Sequence, residues 1–347
     1  MRGLRKYLTP FAPDQSGAVS VLFELGGIVV ICDAGGCTGN VCGFDEPRWF
    51  EQKSAIFSAG LRDMDAILGR DDRLVAKLAD VVQKIDATFV AVIGTPVPAV
   101  IATDYLALKR MSEKKIKLPI LTVDTDGMEL YDKGEEKAFL ELFKIFAIEK
   151  YQAEEDRIGI LGMTPQDVSD LKAADKMREL FQQKYDQQAV CYGMGDGLEE
   201  IKKASSASKN IVVSPAALVA AQYLEKTFGT PYEISYPLAG ELIPEMDYTG
   251  KKILVVHQQV IADSIRRELK ARGAEIVQVA DWFMMKKELR EEGDVFLRDE
   301  DDYIEVVENG DFDIIFADEC MKRMVPEFGG IFVNTRHFAV SGKLIGK

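Results

Sequence analysis

The sequence predicts an α/β protein of several Rossmann-like parallel-sheet domains around a central cleft, and three observations carry that prediction. Short apolar, β-branched runs alternate with amphipathic stretches of helical length along nearly the whole chain, the pattern of parallel sheets covered by helices. Residues 250–281, GKKILVVHQQVIADSIRRELKARGAEIVQVAD, read as a complete strand-helix-strand unit whose helix stops at Gly273. At 347 residues, 47% of them hydrophobic, the chain exceeds the usual size of one domain and can bury a core in each of two or three.

In chain order, strands are expected at 21–31 with an interruption at Gly26 and Gly27, then at 89–93, 120–123, 158–161, 211–213, 253–256, 275–279, 314–316 and 330–333. Helices are expected between them, most clearly at 72–85, 135–153 and 260–272. Residues 156–193 hold a second strand-helix-strand pattern, with a charged, Gln-rich surface between two apolar runs. Charged stretches near 152–156 and 244–250 suggest cuts, giving an N-terminal α/β domain over 1–153, a middle one over 154–246 and a C-terminal Rossmann-like one over 247–347.

Charge narrows the partners. A net charge of −14 repels phosphate backbones and anionic lipid headgroups, so neither nucleic acid nor a membrane surface is expected as a partner. The opening MRGLRKYLTPFAPDQSG holds no unbroken apolar stretch of signal-peptide type, and no later apolar run is long enough to span a bilayer. The expectation is a cytoplasmic protein. In a reducing compartment, five cysteines with three of them inside residues 32–42 fit metal binding or redox chemistry better than disulfides.

Those three lie in ICDAGGCTGNVCGFDEPRW, residues 31–49. A strand ending at Ile31 brings Cys32 to the carboxyl edge of a sheet, and a Gly-rich loop then carries Cys37 and Cys42. In C-x4-C-x4-C the thiols cannot all share one helix face or strand face, but a loop wrapped around a cluster can gather two or three of them. Iron–sulfur clusters generally take four cysteine thiolates. The spacing is neither a ferredoxin nor a zinc signature, so a metal site and free buried thiols both stand as readings. Cys191 and Cys320 flank strands far off in the sequence, where buried thiols are the plainer reading; a symmetric dimer giving two cysteines per chain would complete a set of four.

Other chemistries find less support. No phosphate-cradling G-x-x-x-x-G-K-[ST] occurs, so the chain is not expected to hydrolyse ATP itself. YGMGDG at 192–197 reads as a plain turn, VDTDG at 123–127 as solvated turn aspartates, and two histidines give no Ser-His-Asp set. His257 follows an apolar strand and His337 lies beside Arg336; each reads as a hydrogen-bonded structural histidine or as a group facing a ligand cavity.

The order of several segments resembles the nitrogenase component 1 superfamily, which includes the nitrogenase molybdenum–iron protein, its cofactor-assembly relatives, and the dark-operative protochlorophyllide and nickel-sirohydrochlorin reductases. APDQSGA at 12–18, DAGGC at 33–37 and MDAILGRDDRLVAKL at 64–78 resemble its N-terminal domain, with DAGGC like the turn that bears a cluster cysteine. IGTPVPAVIATD at 93–104, GLEEIKKASSASKNIVVSP at 197–215 and LEKTFGTPYE at 224–233 extend the resemblance over about residues 10 to 340. The chain departs from the pattern where Ala12 or Pro13 and Thr95 stand at two cluster-cysteine positions and Ser214 at the catalytic-cofactor cysteine position. Those departures disfavour the larger nitrogenase cluster and nitrogen reduction. The resemblance matches only Cys37 to a cluster ligand; with Cys32 and Cys42 as additions that restore the ligand count, the expectation is an iron–sulfur cluster, of [4Fe-4S] type, at a homodimer interface, held by Cys37 and Cys42 of each chain with Cys32 as substitute. It further implies a nitrogenase-like reductase that takes electrons from a separate ATP-dependent iron–sulfur reductase protein and passes them to a small molecule, tetrapyrrole-like by analogy, bound between domains. A cluster or cofactor assembly scaffold without turnover is the alternative, and a metal-free homologue with inert cysteines the third. By the same resemblance, the C-terminal SGKLIGK is expected to lack the extension that larger relatives use to close their cavity.

Overall fold

The computed structural model describes residues 5–52 and 54–346. Its described strands form three sheets, every pairing between them parallel. The first holds β1 (Ile28–Ile31), β2 (Ala55–Ser58), β3 (Val90–Ile93) and β4 (Ile120–Val123) in the order β2-β1-β3-β4. The second holds β5 (Glu154–Leu161), β6 (Gln188–Tyr192), β7 (Ala207–Val212) and β8 (Tyr232–Ile234) in the corresponding order β6-β5-β7-β8. The third holds β9 (Lys252–Val256), β10 (Ile276–Asp281), β11 (Val295–Phe296), β12 (Ile314–Ala317) and β13 (Ile331–Asn334) in the order β11-β10-β9-β12-β13. In each sheet the order reverses beside the first strand, and the carboxyl ends at such a reversal are where α/β folds place ligands.

The central strands are buried on both faces, as their unbroken β-branched runs require. Alternation along β1 divides its side chains between two cores. Val29 and Ile31 enter an inner core with Phe139, Leu142 and Phe143, while Ile28, Val30 and the following Cys32 enter an outer one with Leu74, Val75 and Leu108. The inner core continues into the second sheet through Leu161, Tyr192 and Val212. A further core joins the second and third sheets through Ile160, Val213, Ile253 and Val255.

Several expectations shift on inspection. The strand expected over 21–31 begins only at Ile28, because Asp14–Leu22 is a helix. All nine residues of that helix are buried, so it lacks the polar face whose period would reveal it. The helices expected at 72–85, 135–153 and 260–272 run over Asp71–Val82, Tyr131–Phe146 and Gln259–Ala271. Gly273, with φ +95°, lies just past the last of these, in the left-handed region that glycine favours. Residues 6–8 reach across to the third sheet's flank, where their backbone N–H groups donate to the Glu300 carboxylate at 2.8–2.9 Å. Among the described residues no helix is long and apolar enough to cross a membrane.

Candidate functional site: the cysteine loop and the buried junction

The loop after β1 is organised by a buried carboxylate. Asp33 accepts from the Thr38 N–H at 2.8 Å, the Thr38 hydroxyl at 2.9 Å and the Ser58 hydroxyl at 2.6 Å, tying the loop to the end of β2. Gly35, at φ +124°, turns the chain into the short helix Gly36–Asn40, which runs directly into a π-turn over Val41–Asp45 closed by Glu46 N–H to Val41 O at 2.9 Å. Widened turns of this kind are frequent at functional sites. The far end of the loop is held by Arg48, whose fully buried guanidinium clamps Glu46 through two bonds of 2.7 Å and reaches Ser20 O at 2.6 Å.

The three thiols of the loop have different surroundings. Cys32 is 2% exposed in the outer core, and burial, reinforced by Asp33, pushes its thiol up to about 12. Cys37 and Cys42 are half-buried and pack against the inner core on the other side of the sheet. Burial raises both, with Asp33 adding to the shift at Cys37, and Glu46 and Asp33 at Cys42. The Thr95 hydroxyl, which donates to Cys32 O at 2.7 Å, also contacts Cys37. Cys191 is buried in the second core and Cys320 is half-buried against the third.

Among the described residues no three His, Cys, Asp or Glu side chains come together to hold a metal ion. Two part-exposed thiols on one loop do fit half of a four-thiolate set, provided the other half comes from outside the chain. Around them the loops leaving the carboxyl ends of β1, β2, β3 and β4 expose Phe44, Ile67, Leu68, Val100, Leu106 and Met128, with Phe44 76% and Val100 85% accessible. Parallel strands put all four carboxyl ends on one edge, the edge from which the cysteine loop also departs.

A second constellation lies where the sheets meet. The Tyr131 hydroxyl, at the start of the helix after β4, donates to Asp167 and lies 3.2 Å from His337 Nε2. His337 Nε2 is 3.8 Å from Asp167 and its ring stacks on His257, with centroids 4.2 Å apart and planes within 5°. His257 Nε2 contacts Arg336 O at 3.1 Å, and burial followed by the neighbouring His337 drives its imidazole well below the ordinary range. Glu135 accepts from the Thr164 hydroxyl at 2.6 Å, and burial next to Asp167 raises its carboxyl well above normal. Burial likewise pushes Asp132 up to about 6 and lifts Asp281 strongly. One oxygen each of Glu135, Asp167 and Asp281 lacks a partner.

This constellation draws in both histidines singled out in the sequence, and each is hydrogen-bonded as a structural histidine would be. Ser214 is buried nearby, its hydroxyl capping the Ala216 N–H at 3.3 Å. The carboxylates escaped the sequence reading, although a signal exists: Asp132 and Glu135 share the buried stripe of their helix with Ala138, Phe139 and Leu142. The other two motifs serve as turns. In 123–127, Asp126 accepts from the Met128 N–H at 2.8 Å; in 192–197, Asp196 accepts from the Cys191 N–H at 2.7 Å.

The chain matches known proteins at the level of family and fold. The family described as Nitrogenase component 1 type Oxidoreductase matches residues 14–241. Curated protein sequences yield no match. Among solved structures, one described as "Nitrogenase Cp1 at pH 6.5" superposes with a TM-score of 0.74 at 12% identity, covering 96% of this chain and 87% of the other. Another, "Nitrogenase Cp1 at pH 5", gives 0.69 at 15% identity, covering 99% and 87%. At such identities the likeness is one of fold.

Proposed function

The chain belongs to the nitrogenase component 1 type oxidoreductase family, and from that premise we propose that it is the catalytic component of a nitrogenase-like reductase, working as a homodimer around a shared iron–sulfur cluster. The observation that carries this reading is the apolar face surrounding Cys37 and Cys42, which would place two thiols from each copy at a common seam. Cys37 and Cys42 would supply the thiolates of a [4Fe-4S] cluster; Cys32, on the opposite side of the sheet, would hold the loop's root in the core. The cluster would supply one-electron relay, fed by a separate ATP-dependent iron–sulfur reductase protein.

The chain's own residues suggest how protons would accompany those electrons. The Tyr131 hydroxyl, Asp167 and His337 Nε2 form a connected buried path on which a proton can be held and moved. A tetrapyrrole-like acceptor between the domains is the substrate class the family relation suggests. The alternative is an assembly scaffold with the same cluster site and no turnover. The closed interior favours it, since His257 and His337 are 2% and 1% exposed and leave no open binding surface around themselves.

The test is iron and acid-labile sulfide in anaerobically purified protein, beside Cys37→Ala, Cys42→Ala and Cys32→Ala. The parent is expected to carry about four irons per dimer, lost in the first two variants and kept in the third. Parent protein that stays free of iron after anaerobic reconstitution overturns the reading.

A further inference from the structure

At the carboxyl ends of β10 and β11 the third sheet opens into a cleft of about 420 Å³, away from the cysteine loop and sharing Asp132 with the edge of the buried junction. This is within the size range of small-molecule sites. One wall is the chain that leaves β10, with Met285 and Phe296 supplying apolar surface beside the nearly buried Trp282; the other is the start of the helix Tyr131–Phe146. Four cationic side chains line the cleft, Lys133, Lys286, Lys287 and Arg290, against two carboxylates, Glu129 and Asp132. In a chain of net charge −14 that local excess is unusual.

The cations are not equally engaged. Lys133 and Lys286 both turn to one carboxylate, Glu136. Arg290 donates to the Asp294 carbonyl at 2.8 Å, which leaves other guanidinium N–H groups to serve an anion. Lys287 is exposed and pairs with no carboxylate among the described residues. The Trp282 indole N–H, on a side chain only 4% exposed, also lacks a partner.

We propose that this cleft binds an organic carboxylate with a flat apolar body, the carboxylate between Lys287 and Arg290 and the body against Met285 and Phe296, close to the buried Trp282. A small inorganic anion would leave the apolar wall unused, and a neutral aromatic molecule would leave the cations unanswered. The site requires neither iron nor a second copy of the chain, so its failure and that of the cluster reading are separable.

Trp49 and Trp282 are the chain's two tryptophans, so a Trp49→Phe background leaves Trp282 as the reporter. We would titrate the full-length protein with 1-pyrenebutyrate, following energy transfer from Trp282, and repeat the titration with 1-pyrenebutanol. Saturable one-to-one quenching is expected, weakened about tenfold in Lys287→Gln and Arg290→Gln and about tenfold for the alcohol, because each change removes a charge-assisted contact. Quenching that never saturates overturns the proposal. Equal binding of the alcohol, or binding insensitive to both substitutions, would mean simple hydrophobic adsorption such as the exposed face of the first sheet could provide, and would overturn it as well.

Discussion

Arg48 shows how one side chain sets the geometry of the cysteine loop. Its guanidinium is fully buried and meets both oxygens of Glu46, one of Glu24 at 3.0 Å, and the carbonyls of Ser20 and Gly193 at 2.6 and 3.3 Å. One residue thus ties the loop to the helix Asp14–Leu22 and to the turn after β6. A buried ion pair need not stabilise relative to apolar packing, yet losing one partner strands the other in the interior. Arg48→Ala leaves Glu46, 1% exposed, without its counter-ion. It should lose about 3–5 kcal/mol by urea unfolding, with Arg48→Lys losing less because the ammonium keeps the charge but not the fork. An unchanged midpoint for Arg48→Ala would show that the loop is held by other contacts. Nothing in DEPRW separates this arginine from a solvated one paired with Glu46, since its other partners come from residues 20, 24 and 193. Cys37 was singled out because its turn resembles a family motif, whereas Tyr131, Asp167 and Glu135 become a group only when distant segments meet.

At the scale of elements, the helices Asp14–Leu22 and Tyr131–Phe146 cross at glycine. A methyl group on Gly134 would sit 1.7 Å from Asp14 O, and one on Gly17 1.9 Å from Tyr131 O. Both obstacles are backbone, so no side chain can swing away. Gly134→Ala should therefore destabilise by about 1–3 kcal/mol or more despite its better helix propensity. Gly39→Ala, in the short cysteine-loop helix with open space around its Cβ position, should be neutral or slightly stabilising in the same unfolding measurement. Equal effects for the two would contradict close packing as the cause. The crossing also explains which elements the sequence revealed. Runs such as IVVI and KILVV announce buried parallel strands, and amphipathic helices announce themselves by period. The helix Asp14–Leu22 is enclosed on every side and shows no period, while β8 and β11, three and two residues long, are too short to stand out from loops.

For the whole molecule, the decisive feature is where apolar surface remains uncovered. The loops of the first sheet expose Phe44, Ile67, Val100 and Leu106, four of the more exposed large apolar side chains among the described residues. An isologous interface through this face would bring each copy's Cys37 and Cys42 toward the twofold axis, supplying the ligands that one chain lacks. A stable dimer buries roughly 1,200–2,000 Å² in total, and its apolar centre tolerates a buried carboxylate poorly. Ile67→Asp combined with Val100→Asp should therefore shift the sedimentation mass from dimer to monomer. Both side chains are largely exposed, so the far-UV circular dichroism and unfolding midpoint of the subunit should hold. Iron should fall in step with the dimer, because two thiols per chain cannot replace four. If the double variant stays dimeric and keeps its iron, the copies meet elsewhere. If it becomes monomeric and keeps full iron, the cluster is completed within one chain, and the twofold arrangement fails even though the cysteines remain its ligands.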